Sequence, residues 1–281
     1  MLLAADVGNT EIVLGVFADP DPGHGPDADH VAGEHPADPE LPRHTWRLST
    51  QPERTADELA LHLDGFLASR GIGLGSDVTG FVVASVVPDV TAALREMAER
   101  YLSFAPVVVG PGTKTGVPVL TDNPREVGAD RVVNALAAFT RFGGPSVVVD
   151  FGTGTNFDVV SERGEFLGGV IAPGLQISAQ SLFSRTARLT RVDLVPPRSP
   201  IGKGTVEAIQ SGLIYGTAGE VDAIVDRIRA ELGAPQAPVI ATGGLAPVVI
   251  PHCRSVDHHE PFLTLEGLRL VYDRTEGAVD A

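Results

Sequence analysis

Ser146-Val-Val-Val-Asp-Phe-Gly-Thr-Gly-Thr-Asn-Phe-Asp-Val-Val160 is an apolar run, an Asp-x-Gly turn rich in threonine, and a second apolar run. Two β-strands joined by a tight turn are the natural reading: glycine frees the turn, and β-branched residues suit the flanking strands. The same design opens the chain. Leu2 to Ala5 is apolar, Asp6-Val-Gly-Asn-Thr10 turns, and Glu11-Ile-Val-Leu-Gly-Val-Phe17 returns. Asp6 aligns with Asp150 and Gly8 with Gly152, an offset of 144 residues in a chain of 281. A repeat on that scale predicts two similar lobes, each presenting a hairpin to the cleft between them. Gly8 exposes backbone N–H groups, Asn9 and Thr10 add donors, and Asp6 at a strand end suits a metal ion. These are the parts of a phosphate grip. One such pattern alone reads better as a plain hairpin turn; the second copy tips the balance towards phosphate.

Between the hairpins lies Asp122-Asn-Pro-Arg-Glu-Val-Gly-Ala-Asp-Arg131, running into Val132-Val-Asn-Ala-Leu-Ala-Ala138. Pro124 suits the first helical position, with Asn123 as N-cap and Glu126 as the N3 acid of a capping box. The expectation is a helix from Pro124 with Val127, Asp130 and Asn134 on one face. Glycine inside a helix costs about 1 kcal/mol relative to alanine, so something is expected to approach the backbone at Gly128. An acid beside a bare backbone and the bidentate donor Arg131 is what a general base facing a polar substrate needs. A capped surface helix whose Asp130 bonds to Asn134 fits this stretch equally well.

Composition narrows the classes. At 43% hydrophobic and 20% charged, the chain is globular and long enough for one large domain or two ordinary ones. A net charge of −15 argues against nucleic acid and anionic membranes as partners. Cys253 is the single cysteine, which fits a reducing cytosol. No apolar run reaches the roughly 18 residues of a spanning helix, and the N-terminal stretch reads as a buried strand without a basic n-region. The expectation is a soluble cytoplasmic protein.

Ala18 to Arg43 holds seven acidic residues against one arginine, with much Pro and Gly, and reads as a disordered acidic insertion. Its His24, His30 and His35 lack metal-site spacing. Thr45–Thr50 reads as a strand, and Thr55-Ala-Asp-Glu58 caps a helix with the stripe Leu59, Leu63, Phe66 and Leu67. Strands over Gly80–Val87 and Pro106–Val109 bracket a helix from Pro88 to about Tyr101. Past the second hairpin come a strand from Phe166, a helix over Leu175–Ser184, and a long helix over Val206–Leu232. Gly212, Gly216 and Gly219 would let another backbone pack closely on that helix. Val239–Pro247 is a strand into a Gly-rich turn, able to admit a flat ring or serve as a simple turn. Leu263–Tyr272 closes the chain as an amphipathic helix. Alternating strands and helices make the fold class α/β.

Asp6-Val-Gly-Asn-Thr10, Asn123–Arg131, Asp150-Phe-Gly-Thr153 and Gly168-Gly-Val-Ile-Ala-Pro-Gly174 together resemble the type III pantothenate kinase family. Gly202-Lys-Gly-Thr205, Ala241-Thr-Gly-Gly-Leu245 and Leu263-Thr-Leu-Glu-Gly-Leu268 extend the match in order over nearly the whole chain, apart from 18–43. The resemblance implies two ribonuclease H-like lobes, 1–122 and 123–281, of the actin, sugar-kinase and heat-shock ATPase superfamily. It implies transfer of the ATP γ-phosphoryl to pantothenate, the first committed step towards coenzyme A. Asp130 becomes the general base, with Gly128, Ala129, Asp130, Arg131 and Thr205 as substrate contacts. Asp6, Val7, Gly8, Asn9, Thr10, Glu11, Ile12, Val13 and Thr153 become ATP contacts. Asp150 becomes the ligand of a monovalent cation, K+ or NH4+, and Asp6 a candidate for Mg2+. A homodimer is implied, with the pantothenate site completed by the second subunit. Four positions depart from the family pattern: Thr121 for a common Tyr, Gly154 and Asn156 for the usual Ala and Thr, and Gly204 for a common Asn. The rival readings are a kinase for another hydroxylated substrate and a catalytically silent regulator.

Overall fold

The computed structural model describes residues 1–18, 40–184 and 192–276. The insertion expected over 18–43, with its three histidines, falls mostly outside the described residues. The chain forms two compact units: Met1–Gly116, Arg125–Ala137 and Thr264–Ala281 make one, and Val117–Pro124 with Ala138–Leu263 makes the other.

The first unit is built on five strands: β1 Leu2–Val7, β2 Glu11–Phe17, β3 His44–Ser49, β4 Gly80–Ser85 and β5 Val107–Val108, in the order β3-β2-β1-β4-β5. β1 is central, antiparallel to β2 and parallel to β4. Covered on both sides, it can be a continuous apolar run, and Leu2 to Ala5 are all buried. β3 is an edge strand with strict alternation, exposing Thr45, Arg47 and Ser49. Helix α1, Ala56–Ala68, starts at the Thr55–Glu58 capping box and buries Leu59, Leu63 and Leu67, each worth roughly 2 kcal/mol. Phe66 is only partly buried, and its ring stacks on Trp46 at 6.0 Å. Helix α2, Pro88–Tyr101, begins at the proline as expected. β4, by contrast, ends at Ser85 rather than Val87. The Ser85 hydroxyl bonds to the Val87 N–H and to Thr91, diverting the chain into the helix.

The second unit repeats this plan. Strands β6 Ser146–Phe151, β7 Gly154–Val160, β8 Phe166–Pro173, β9 Val239–Thr242 and β10 His258–His259 lie in the order β10-β9-β6-β7-β8. Matching β6 to β1 and β7 to β2 reproduces every neighbour and direction of the first sheet. Helix α4, Leu175–Ser184, and helix α5, Thr205–Leu232, follow β8, and α5 buries Ile214, Ala218, Val221 and Val225 along one stripe. It stops at Gly233, whose φ of 64° is the left-handed stop that glycine takes at least cost.

Helix α3, Ala129–Phe142, corrects the expected signature helix. Pro124–Glu126 forms only a 3-10 turn, and the α-helix begins five residues later than expected. Gly128 breaks the run: its carbonyl accepts the Val132 N–H at 3.3 Å, so it stands before the helix, and Val127 lies outside it. Asp130 is therefore a first-turn residue. The short helix α6, Ala246–Val249, and the C-terminal helix α7, Leu263–Glu276, complete the chain. A Cβ on Gly267 of α7 would lie 2.1 Å from the Val133 carbonyl, so only glycine lets α7 and α3 cross there.

Candidate active site

In the first unit, Asp6 is the second-last residue of β1, half-buried between Val13 of β2 and Ala84 of β4. The Gly8 N–H donates to the Glu11 carbonyl at 3.0 Å and leaves Asn9 and Thr10 as an exposed two-residue tip. Thr50, just past β3, straps this tip. Its hydroxyl donates to the Gly8 carbonyl at 2.7 Å, and its N–H donates to the Thr10 carbonyl at 2.9 Å. Val7 and Ile12 are core side chains, so any contact they make with a ligand runs through the backbone. The Glu11 carboxylate is held by Arg47 at 2.7 Å.

Asp130, Arg131, Gly128 and Ala129 belong to the same unit. The Asp130 carboxylate folds back over Gly128, where an added Cβ would lie 2.3 Å from its Oδ1. What approaches the bare backbone here is thus the acid itself. That Oδ1 is buried without a hydrogen-bond partner among the described residues. Neither Oδ1 nor Nδ2 of Asn134 has a partner there either, so the Asp130–Asn134 bond of the surface-helix reading is not made. Burial pushes the Asp130 carboxyl above the ordinary aspartate range. The Arg131 N–H, the Arg131 guanidinium and the Asp130 N–H pull the other way without prevailing. A half-buried carboxylate with a free oxygen and raised proton affinity is suited to accept a proton.

In the second unit, Asp150 stands where Asp6 stands in the first, opposite Asn156 of β7 and Thr242 of β9. The turn differs: the Gly152 N–H donates to the Gly154 carbonyl at 3.0 Å, leaving Thr153 alone at the tip. Glycines wall this hairpin. A Cβ on Gly243 would lie 2.4 Å from Asp150 Oδ1, and one on Gly174 would lie 2.2 Å from the Thr153 carbonyl. Gly243, at φ 93°, makes room for the Asp150 carboxylate, a role that the Gly-rich turn did not disclose from sequence. No cluster of three or more His, Cys, Asp or Glu gathers among the described residues. Carboxylates such as those of Asp150 and Asp6 are oxygen ligands of the kind that hard cations take.

Thr205 opens α5 in the second unit and is exposed, following Gly204 at the N-cap. Gly204 has open space around it, so nothing there demands glycine. Thr121 buries its Oγ1 without a hydrogen-bond partner among the described residues, and its methyl lies 3.8 Å from where a Gly168 Cβ would be. A Cβ on Gly154 would meet the Ala172 carbonyl and Asn156 Oδ1 at 3.3 Å, a tight fit. Two residues escaped the sequence reading. Thr50 carries no motif, and Gly243 lies far along the chain from the aspartate it accommodates. Cys253 is no reactive thiol: burial, and then the Asp222 charge, push it up to about 12. No helix among the described residues is long and apolar enough to cross a membrane.

An activator of 2-hydroxyisocaproyl-CoA dehydratase from Clostridium difficile, solved with bound ADPNP, superposes with a TM-score of 0.56. At 12% identity it covers 99% of this chain and 97% of its own, a likeness of fold alone. With the duplicated sheets, this defines the fold class: α/β, two similar five-stranded mixed sheets with helices, a fold shared with that protein. Sequence takes the assignment further. The type III pantothenate kinase family model matches residues 2–227. The type III pantothenate kinase of Streptomyces griseus subsp. griseus is 51% identical over 280 residues, 98% of each chain. That of Frankia casuarinae is 54% identical over 275 residues, 98% of this chain and 99% of its own. The chain belongs to the type III pantothenate kinase family.

Proposed function

We propose that this protein transfers the γ-phosphoryl of ATP to the primary hydroxyl of pantothenate, giving 4'-phosphopantothenate at the head of coenzyme A biosynthesis. Family membership supports the substrate pair. The observation that carries the mechanism is Asp130, a first-turn carboxylate with a buried, unpartnered oxygen and a raised proton affinity. Asp130 accepts the hydroxyl proton, the hydroxyl oxygen bonds to the γ-phosphorus, and the bond to the β–γ bridging oxygen breaks to leave ADP. Arg131 meets the pantothenate carboxylate, Gly128 and Ala129 line the substrate, and Thr205 adds a contact. Asp6 to Val13 grip the ATP phosphates through the Gly8 turn and the Asn9–Thr10 tip, and Thr153 adds a donor. Asp150 would hold K+ or NH4+, and Asp6 would share Mg2+ with the phosphates; bound there, the cations neutralise charge developing on the transferred group.

The working form is a homodimer in the cytoplasm. Ile171 of β8, Ile177 of α4, and Ile201 and Val206 beside or at the start of α5 are exposed apolar side chains of the second unit. Gly212, Gly216 and Gly219 of α5 are exposed, with nothing within 4 Å of an added Cβ, so the close packing expected of them is not made within the described residues. A second subunit would cover such a surface.

The test is ADP release with ATP, Mg2+ and pantothenate, in K+ or NH4+ and again in Na+ alone. Turnover that depends on pantothenate and on K+ or NH4+ is the expected result. Asp130→Asn should lose about 10³-fold or more in kcat, near the range removed with a general base, while still binding pantothenate. Near-normal turnover in that variant would remove Asp130 from the role of base. No turnover by folded wild-type protein in any salt would favour the regulator.

A further inference from the structure

Asn134 is 1% exposed, yet both polar atoms of its amide lack hydrogen-bond partners among the described residues. Its neighbours on α3, Val133, Ala135, Leu136, Ala137 and Ala138, are buried apolar residues whose side chains can give it nothing. A buried amide left this way costs stability, and such groups call for an explanation. The explanation lies one turn away. Helical side chains lean towards the N-terminus, so the Asn134 amide covers the turn that carries Asp130. Asp130 Oδ1 is itself buried and unpartnered, and the two do not satisfy each other. An acceptor from the acid, with a donor and an acceptor from the amide, thus stand together on one helical face.

A group that both donates and accepts at one atom is a hydroxyl. Pantothenate carries two: the primary hydroxyl that reacts and a secondary hydroxyl two carbons away on the same pantoyl unit. Its carboxylate and amide carbonyl only accept, its amide N–H only donates, and its methyl groups do neither. We propose that Asn134 is a specificity-determining residue that binds the secondary pantoyl hydroxyl while Asp130 takes the proton of the primary one. This rests on the reading of the chain as a pantothenate kinase.

The test compares kcat/KM for pantothenate with that for the analogue whose pantoyl group lacks the secondary hydroxyl. Wild-type protein should prefer pantothenate by about 100-fold or more, since a site built to bond a hydroxyl rejects the analogue without it. Asn134→Ala should erase most of that preference, lowering the value for pantothenate and leaving that for the analogue within about threefold. Asn134→Ser, nearly as small but bearing a hydroxyl, should restore part of it. A preference unchanged within about twofold in the alanine variant, as a water-bridged core amide would give, overturns the assignment. So does wild-type protein that turns over both compounds equally, a result that needs no variant to fold. Wild-type protein that phosphorylates neither compound would instead sink the kinase reading itself.

Discussion

The two Asp-x-Gly hairpins occupy equivalent places in equivalent sheets, yet their tips are held in opposite ways. The first ends in two exposed residues, Asn9 and Thr10, and is strapped from one side by Thr50. A Cβ on Gly8 would lie 3.2 Å from the Glu11 carbonyl, a tight fit but about 1 Å looser than the approaches at Gly174 and Gly243. The second is one residue shorter and is walled by Gly174 and Gly243, with the Leu245 N–H donating to the Phe151 carbonyl at 3.2 Å. An exposed two-residue tip leaves more of its surface open to a ligand. A walled tip fixes the Asp150 carboxylate in place. The duplicated signature therefore fixes the same hairpin twice, and the packing around each copy makes the two tips different.

Gly243→Ala is the most severe way to break this contrast. Its φ is strained for alanine, and the new Cβ would overlap Asp150 Oδ1 at 2.4 Å and the Phe151 N at 2.6 Å. We expect a loss of about 3 kcal/mol or more in chemical denaturation. Gly8→Ala should lose no more than about 1 kcal/mol by the same measurement. Equal losses would mean that the two turns are not differently constrained.

Gly128→Ala comes next, since it moves the carboxylate of the proposed base rather than the fold. A 2.3 Å overlap with Asp130 Oδ1 should displace that oxygen and cut kcat about 100-fold, with melting temperature little changed. Thr50→Val keeps the shape of the strap and removes its hydroxyl bond to the Gly8 carbonyl, for about 1 kcal/mol. It should raise the KM for ATP more than that for pantothenate; a rise confined to pantothenate would detach the first tip from the nucleotide.

The smallest effect concerns pH. The proton affinity of Asp130 is raised in the folded chain above its ordinary aspartate value, so it is the ionised form that folding disfavours. The penalty is absent below the unfolded pKa of 3.8, grows as pH rises from there towards the folded value, and is complete above it. Asp130→Asn removes it, so the variant should melt slightly higher than wild type near pH 7, with the gap closing below pH 3.8. A variant that melts lower at pH 7 would show that the carboxylate is stabilised where it sits, and would weaken its assignment as a poised base.

Local signals in the chain were enough for the hairpins, the Thr55 cap, the Pro88 start of α2 and the pairing of Asp6 with Asp150. Each rests on residues within a few positions of one another, through side-chain periodicity, a cap or a fixed φ. The start of α3 lies later than its local signals suggest because Asn123-Pro124 is a sound helix opening that Gly128 then undoes. What the sequence by itself determined is the α/β plan with its repeated hairpin, and the family. What only the tertiary structure decided is how each aspartate is held: Asp130 over Gly128 with Asn134 unpaired beside it, and Asp150 against Gly243 from another strand end. The physical reason is distance along the chain. A carboxylate takes its proton affinity and orientation from whatever is packed within a few ångströms, and at Asp150 that neighbour lies more than ninety residues away in sequence.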